Sequence, residues 1–254
     1  TLLLLITCAF TIWYIFRQQR LNQIKNDFIN NMTHELKTPV ASISLASQML
    51  NDPVVTKSPK MLEHISNIIK DETKRLTFQV DKVLQMSVFE RENIKMELQE
   101  NNINEIIQTI AENYSLKIHS KGGNLYTDLQ AHNAFVNIDE MHFGNIIYNL
   151  LDNAVKYSRG DTPIIITIST WNDNKDNLFI SIEDNGIGIK KEYIKHIFDK
   201  FYRVPTGNRH DIKGFGLGLS YVKKIIQLHK GQIKVESEPN IGTKFVIELK
   251  TIEI

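Results

Sequence analysis

Little in this chain is in excess, and several things are nearly absent. It has one cysteine, Cys8, in 254 residues. No disulfide can form within the chain, and a reducing compartment suits it. It has almost no excess of one charge: 30 Lys and Arg face 29 Asp and Glu, a net charge of +1. Bulk binding of nucleic acid asks for a basic surface, and this balance gives it no support. It has no complete membrane-crossing run, because the uncharged stretch at 2–16 falls short of the roughly 20 apolar residues a span needs. Glycine is missing from residues 17–50, where Pro39 is the one helix breaker. That argues against loops there and leaves a long rod. The chain has no internal repeat and no low-complexity segment.

Trp13 and Tyr14 stand near the end of the apolar stretch and suit a membrane interface. Arg17 and Arg20 follow and mark the cytoplasmic side. The first residue is Thr rather than Met. The expectation is that residues 1–16 are the end of a transmembrane helix. It would anchor the protein in the inner (cytoplasmic) membrane, with the catalytic part in the cytoplasm. A signal peptide would start basic and carry a small-residue cleavage site, and this stretch has neither.

Leu21, Ile24, Phe28, Met32, Leu36, Val40 and Ile43 recur at steps of three and four, one face of a helix. At about 100° per residue, His34 falls opposite that stripe, with Thr38 one turn along and Glu35 beside it. An imidazole with an ordinary pKa of about 6.5 keeps a free lone pair near neutral pH, so His34 reads as an exposed nucleophile beside a carboxylate. Alone, such a His is ordinary surface. A His-Glu-x-x-His zinc site is excluded, because the fifth position is Thr38. Pro39 removes a helix hydrogen bond and marks a plausible hinge. Prolines at 53 and 59 bracket a loop, and a second helix starts near Lys60. Its members Leu62, Ile65, Ile69, Glu72, Leu76, Val80, Val83 and Ser87 keep the three-four spacing. One antiparallel hairpin cannot bury both stripes, so two hairpins in a four-helix bundle are expected.

A boundary near 90–93 opens a second domain. A strand is predicted at 94–98, a helix at 104–118, a strand at 135–138 and a helix at 140–156. Strands follow at 164–170 and 178–182, helices at 194–198 and 217–228, and a closing hairpin at 232–238 and 244–249. Mixed helices and strands of this order argue a layered α/β sandwich with an antiparallel-rich sheet.

Four segments there carry chemistry. Asn149 and Asn153 share one helix face, and an amide oxygen is a hard ligand of the kind Mg²⁺ accepts. Lys156 offers a point charge for phosphate and Tyr157 an aromatic face for a base. Asp184-Asn185-Gly186-Ile187-Gly188 follows a strand, where glycines let backbone approach a ligand and Asp184 can accept from an exocyclic amine. An ordinary turn would also read this way. Arg203 closes an aromatic segment that begins at Ile197 and leads into a polar loop. Gly214, Gly216 and Gly218 open a helix whose free N–H groups could face a phosphate. A dinucleotide fold is excluded for want of a crossover with a later acidic residue, and a P-loop for want of Gly-Lys-Ser/Thr.

His34-Glu35-Leu36-Lys37-Thr38-Pro39 resembles the phosphoacceptor box of sensor histidine kinases. The four later segments, in this order, resemble the N, G1, F and G2 boxes of the GHKL ATPase superfamily. The likeness covers residues from about 20 to 250. It implies an α+β protein: a dimeric helical hairpin making a four-helix bundle, then a GHKL (Bergerat) α/β-sandwich ATP-binding domain. Residues 17–90 would be the dimerisation and phosphotransfer hairpin, and 91–254 the catalytic domain. It implies that Asn153 ligates Mg²⁺, with Asn149 and Lys156 near the phosphates of ATP. Tyr157 would stack near adenine and Asp184 bind its amine. Gly186, Gly188, Gly214, Gly216 and Gly218 would shape pocket and lid, and Arg203 would reach the γ-phosphate. Glu35 would be the base for His34, and Thr38 would position water for phosphatase action. The implied partners are a second copy of the chain and a response regulator receiver domain, with no nucleic acid. Two other readings compete: an ATP-binding module that signals without phosphorylating itself, and another GHKL machine acting on DNA. Intact His34 and Asn153 oppose the first, and the hairpin opposes the second.

Overall fold

The structure, a computed structural model, describes residues 2–52, 55, 58–90, 95–175, 177–204 and 216–252. The chain divides into two units, Thr1–Ser87 and Val88–Ile254, close to the boundary read from the sequence.

The first unit is built on two helices, α1 (Leu2–Met49) and α2 (Pro59–Glu90). Without glycine to break it, α1 runs through Pro39. Among its described side chains Met32, Pro39 and Ala46, seven apart, are buried, and Leu36 and Ile43 between them are half-buried. This is a heptad seam. Near the loop, Ala46 packs with Val55 and Ile65, and Leu50, Leu62 and Ile69 flank them. The expected stripe needs correcting at Val40, which is 53% exposed. Successive steps of four advance about 40° each and drift off the seam, whereas steps of seven nearly return to it. Val80 on α2 is exposed for the same reason. Glu72 does occupy a half-buried seam position between Ile69 and Leu76. Leu3, Leu4, Ile6 and Phe10 are exposed at the amino end. Among the described residues, no helix is long and apolar enough to cross a membrane.

The second unit has a two-stranded sheet, β1 (Gln99–Asn102) with β3 (Phe135–Ile138), and a five-stranded one. The latter joins β2 (Asn124–Leu129), β4 (Ile165–Asn172), β5 (Asn177–Asp184), β7 (Gly242–Lys250) and β6 (Gln232–Glu238), in that spatial order. The β2–β4 pair is parallel and the others antiparallel. Alternate residues of the central strands, such as Ile166, Ile168, Ile180, Ile182 and Ile247, are buried, so one face of the sheet is the core face. Three amphipathic helices cover it: α3 (Ile103–His119), α4 (Glu140–Lys156) and α6 (Gly218–Leu228). A four-residue α5 spans Lys191–Ile194.

Three expectations need correction. Residues 95–98 carry no regular structure, and the strand sits later, at the polar Gln99–Asn102. The helix expected at 194–198 is the earlier α5, followed by turns. The edge strand β2 was not foreseen, since only Leu125 and Leu129 turn inward and its other residues are exposed.

Candidate functional site

The site grows from the ends of α4 and β5. Asp139 caps α4 by accepting from the His142 N–H at 3.0 Å. The Asp139 N–H in turn donates to His229 Nε2 at 2.9 Å, tying the start of α4 to the end of α6. Burial pushes the His229 imidazole below its ordinary range, which keeps that nitrogen free to accept. On the other flank, Asp152 of α4 accepts from Tyr114 and Lys117 of α3, at 2.5 and 2.7 Å. The helix bearing Asn149 and Asn153 is thereby fixed at both sides.

Asp184 ends β5. Its carboxylate accepts from the Gly186 N–H at 2.8 Å, and the Thr243 N–H donates to it as well. Burial raises its pKa from 3.8 to about 6; the two backbone donors pull it down, and the charge of Glu183 adds to the rise. Beyond it the chain doubles back where side chains cannot follow. Gly188 has φ +66, and a Cβ there would lie 1.9 Å from the Glu238 carbonyl oxygen. A Cβ on Gly186 would lie 2.6 Å from the Tyr157 carbonyl oxygen. The Ile187 N–H donates to that same oxygen at 3.0 Å, so the turn is laid against the end of α4. Asn185 fastens it from behind, accepting from the Ile165 N–H and donating to the Pro163 carbonyl, both at 2.9 Å.

These contacts create a narrow cleft, of about 90 Å³, into which Asn153, Tyr157, Asp184, Gly188 and Arg203 all open. Five of the residues singled out from the sequence therefore meet in one place. Burial raises the Tyr157 pKa, opposed by the charge of Arg203, so the ring stays a neutral apolar face. The Lys156 Nζ lies 5.0 Å above that ring. The remaining predicted residues stand around the cleft rather than on its wall. Asn149 donates to the Asn145 carbonyl at 2.7 Å, and a Cβ on Gly218 would come within 2.9 Å of its amide oxygen. Gly216, with φ +70, lies against the Phe201 and Tyr202 backbone. Gly214 lies outside the described residues, as do the side chains of His34 and Glu35 on α1. Thr38 is exposed.

Thr243 and Phe245 also line the cleft and belong to no motif, while the apolar walls Ile187, Ile189, Ile197 and Leu219 lie inside the motif segments without a role assigned to them. Thr243 becomes findable once β7 is known to pair with β5, which sets it opposite Asp184. The apolar residues carry no local signal beyond ordinary core. A far larger cavity, about 880 Å³, lies between β1, α3 and the start of α4. It collects none of the motif residues, so chemistry rather than size selects the narrow cleft. Among the described residues, no group of three or more His, Cys, Asp or Glu could hold a metal ion.

Residues 24–92 match the family described as His Kinase A (phospho-acceptor) domain. Residues 138–253 match Histidine kinase-, DNA gyrase B-, and HSP90-like ATPase. The chain is 56% identical over 253 residues to Sensor protein RprX of Bacteroides fragilis (strain YCH46), covering 100% of this chain and 49% of that protein. It thus spans about half the length of that relative. Among solved structures, full-length ShkA in complex with AMPPNP gives a TM-score of 0.65 at 21% identity, over 88% of this chain and 46% of that one. Histidine kinase ThkA in complex with response regulator protein TrrA gives 0.58 at 24% identity, over 93% of this chain and 64% of that one. At these identities the two structures speak for the fold.

Proposed function

Since the chain belongs to the sensor histidine kinases of two-component systems, we propose that it phosphorylates its own His34 from Mg-ATP and passes the phosphoryl group to an aspartate of a response regulator. The observation that carries this reading is the meeting of Asn153, Tyr157, Asp184, Gly188 and Arg203 in one cleft. Asp184, ionised at neutral pH and held by two backbone donors, suits the exocyclic amine of adenine. The apolar walls and the Tyr157 ring suit the base, and Arg203 suits the charge of a γ-phosphate. Asn153 is the cleft residue fit for Mg²⁺; among the described residues no carboxylate cluster stands beside it, so phosphate oxygens and water would complete the shell. A bound Mg²⁺ offsets phosphate charge and orients the transferring group.

In the reaction, a His34 nitrogen forms a bond to the γ-phosphorus as the bond to the ADP oxygen breaks, and Glu35 takes the imidazole proton. Most of the catalysis is positioning, so control lies in when the nucleotide lobe reaches His34. Transfer onward regenerates the imidazole. Thr38, exposed on the same helix, positions water when the hairpin dephosphorylates the regulator.

The chain works as a homodimer anchored in the cytoplasmic membrane. Ile29 and Val40 are 46% and 53% exposed on α1, an apolar flank that a second hairpin would cover. The exposed Leu3, Leu4, Ile6 and Phe10 suit a lipid environment. Incubation with γ-labelled ATP is expected to leave an acid-labile, alkali-stable label on the chain. His34→Ala should abolish it, and label persisting in that variant would refute the assignment.

A further inference from the structure

We propose that Ser237 is a positioning residue for the nucleotide cleft, its hydroxyl pinning two of the cleft's walls to each other. The proposal rests on the ATP-binding reading above. Ser237 lies on β6, paired in register with Thr243 on β7. It does not line the cleft, but two residues it holds do, Ile189 and Thr243. Its Oγ accepts from the Ile189 N–H at 2.8 Å and donates to the Gly242 carbonyl at 2.8 Å. Thr243 Oγ1 lies 2.9 Å away. A hydroxyl has one proton, and Gly242 takes it, so Thr243 is the donor in that third bond.

The bonding capacity of Ser237 is thus fully committed. One arm ends on the residue that closes the Asp184–Ile189 turn. The other two end on the strand whose Thr243 N–H holds the Asp184 carboxylate. The turn has no slack to absorb a loss. Gly188 is pressed against the Glu238 carbonyl oxygen, and the Asn240 N–H donates to the Ile187 carbonyl at 2.8 Å. Arg159 adds an outer tie, donating to the Asn240 carbonyl at 2.5 Å. Removing the Ser237 hydroxyl takes the acceptor from the part-buried Ile189 N–H at the root of this assembly.

The test compares the whole chain with Ser237→Ala and Ser237→Thr. Ser237→Ala is expected to bind ATP and ADP about tenfold more weakly, by the same factor, because the damage is at the base rather than at the phosphates. The Ile189 amide should exchange hydrogen faster. The rate of self-labelling at saturating ATP should stay within about twofold, so KM moves and kcat does not. Ser237→Thr keeps the hydroxyl and should restore affinity. Unchanged ATP and ADP binding in Ser237→Ala would overturn the proposal, as would a Thr variant as weak as the Ala variant. An unsubstituted chain that bound neither nucleotide would instead overturn the ATP-binding reading.

Discussion

The hairpin and the nucleotide lobe solve the burial problem in opposite ways. In the lobe, three helices cover a sheet, and its strands and helices share one continuous buried cluster. Among the described residues of the hairpin the buried cluster is Ala46, Val55 and Ile65 at the loop end, while Ile29, Val40 and Met61 are exposed. Among the described residues, the lobe buries a continuous core within one copy, whereas the hairpin leaves apolar residues exposed. On the proposed function, a domain that holds a nucleotide needs its own core, whereas a hairpin that pairs with a second copy draws stability from it. Two substitutions of equal chemistry expose the contrast. Ile180 and Ile65 are 0% and 1% exposed. Ile180→Ala should cost the lobe about 2–5 kcal/mol at any protein concentration. Ile65→Ala should cost less, and its melting temperature should shift with concentration, as for an interface shared between copies. Thermal unfolding followed over a hundredfold range of concentration checks both. A concentration-independent hairpin transition would break the comparison.

In the lobe, burial holds the Asp184 carboxyl at the expense of stability. Asp184 has its pKa raised to about 6, chiefly by burial. The folded chain therefore binds this proton more tightly than the unfolded chain does. The stabilising contribution is complete below the unfolded value of 3.8 and is lost as pH rises through about 6. Asp184→Asn should thus raise lobe stability by about 1–3 kcal/mol at neutral pH, with the gain vanishing toward pH 4. The same variant should lose most ATP affinity, since an amide is a poorer acceptor for the adenine amine. In the unsubstituted chain, ATP affinity should fall as pH drops below about 6 and the carboxylate is protonated. Calorimetry for stability and titration with ATP from pH 5 to 8 read the two effects separately. A variant both less stable and still binding would show Asp184 to be a structural group.

How far the sequence could be read follows the same division. In the lobe, motif residues are adjacent in sequence and sit at element ends, so Asp184, Gly188, Asn153 and Tyr157 could be placed before their contacts were known. Thr243 and Phe245 reach the cleft through strand pairing distant in sequence, and nothing local announces them. Strand β2 escaped because an edge strand buries little and so shows little alternation. In the hairpin, Met32, Leu36 and Ile43 were legible as one face, but a stripe of threes and fours does not distinguish the seam within a hairpin from its flank. Val40 and Pro39 exchange places for that reason: the seven-residue spacing of Met32, Pro39 and Ala46 defines the seam, and Val40 stands one position beyond it.

The smallest expected effect concerns Glu72, a polar residue in the hairpin seam. Glu72 Oε2 is shut from water and has no hydrogen-bond partner among the described residues. The Arg75 guanidinium lies 3.9 Å from it, its side chain 43% exposed. An ion pair that long and that wet is worth little, while an unpaired carboxylate oxygen beside Ile69 and Leu76 is costly. Glu72→Leu removes the cost and extends the apolar seam, so the hairpin should melt higher, by about 1 kcal/mol. ATP affinity in the lobe should not change, because the substitution lies in the other unit. If Glu72→Leu instead lowers the hairpin transition, the carboxylate must be satisfied across the paired hairpins. The hairpin would then owe its stability to a polar contact between copies as well as to the apolar flank of Ile29 and Val40.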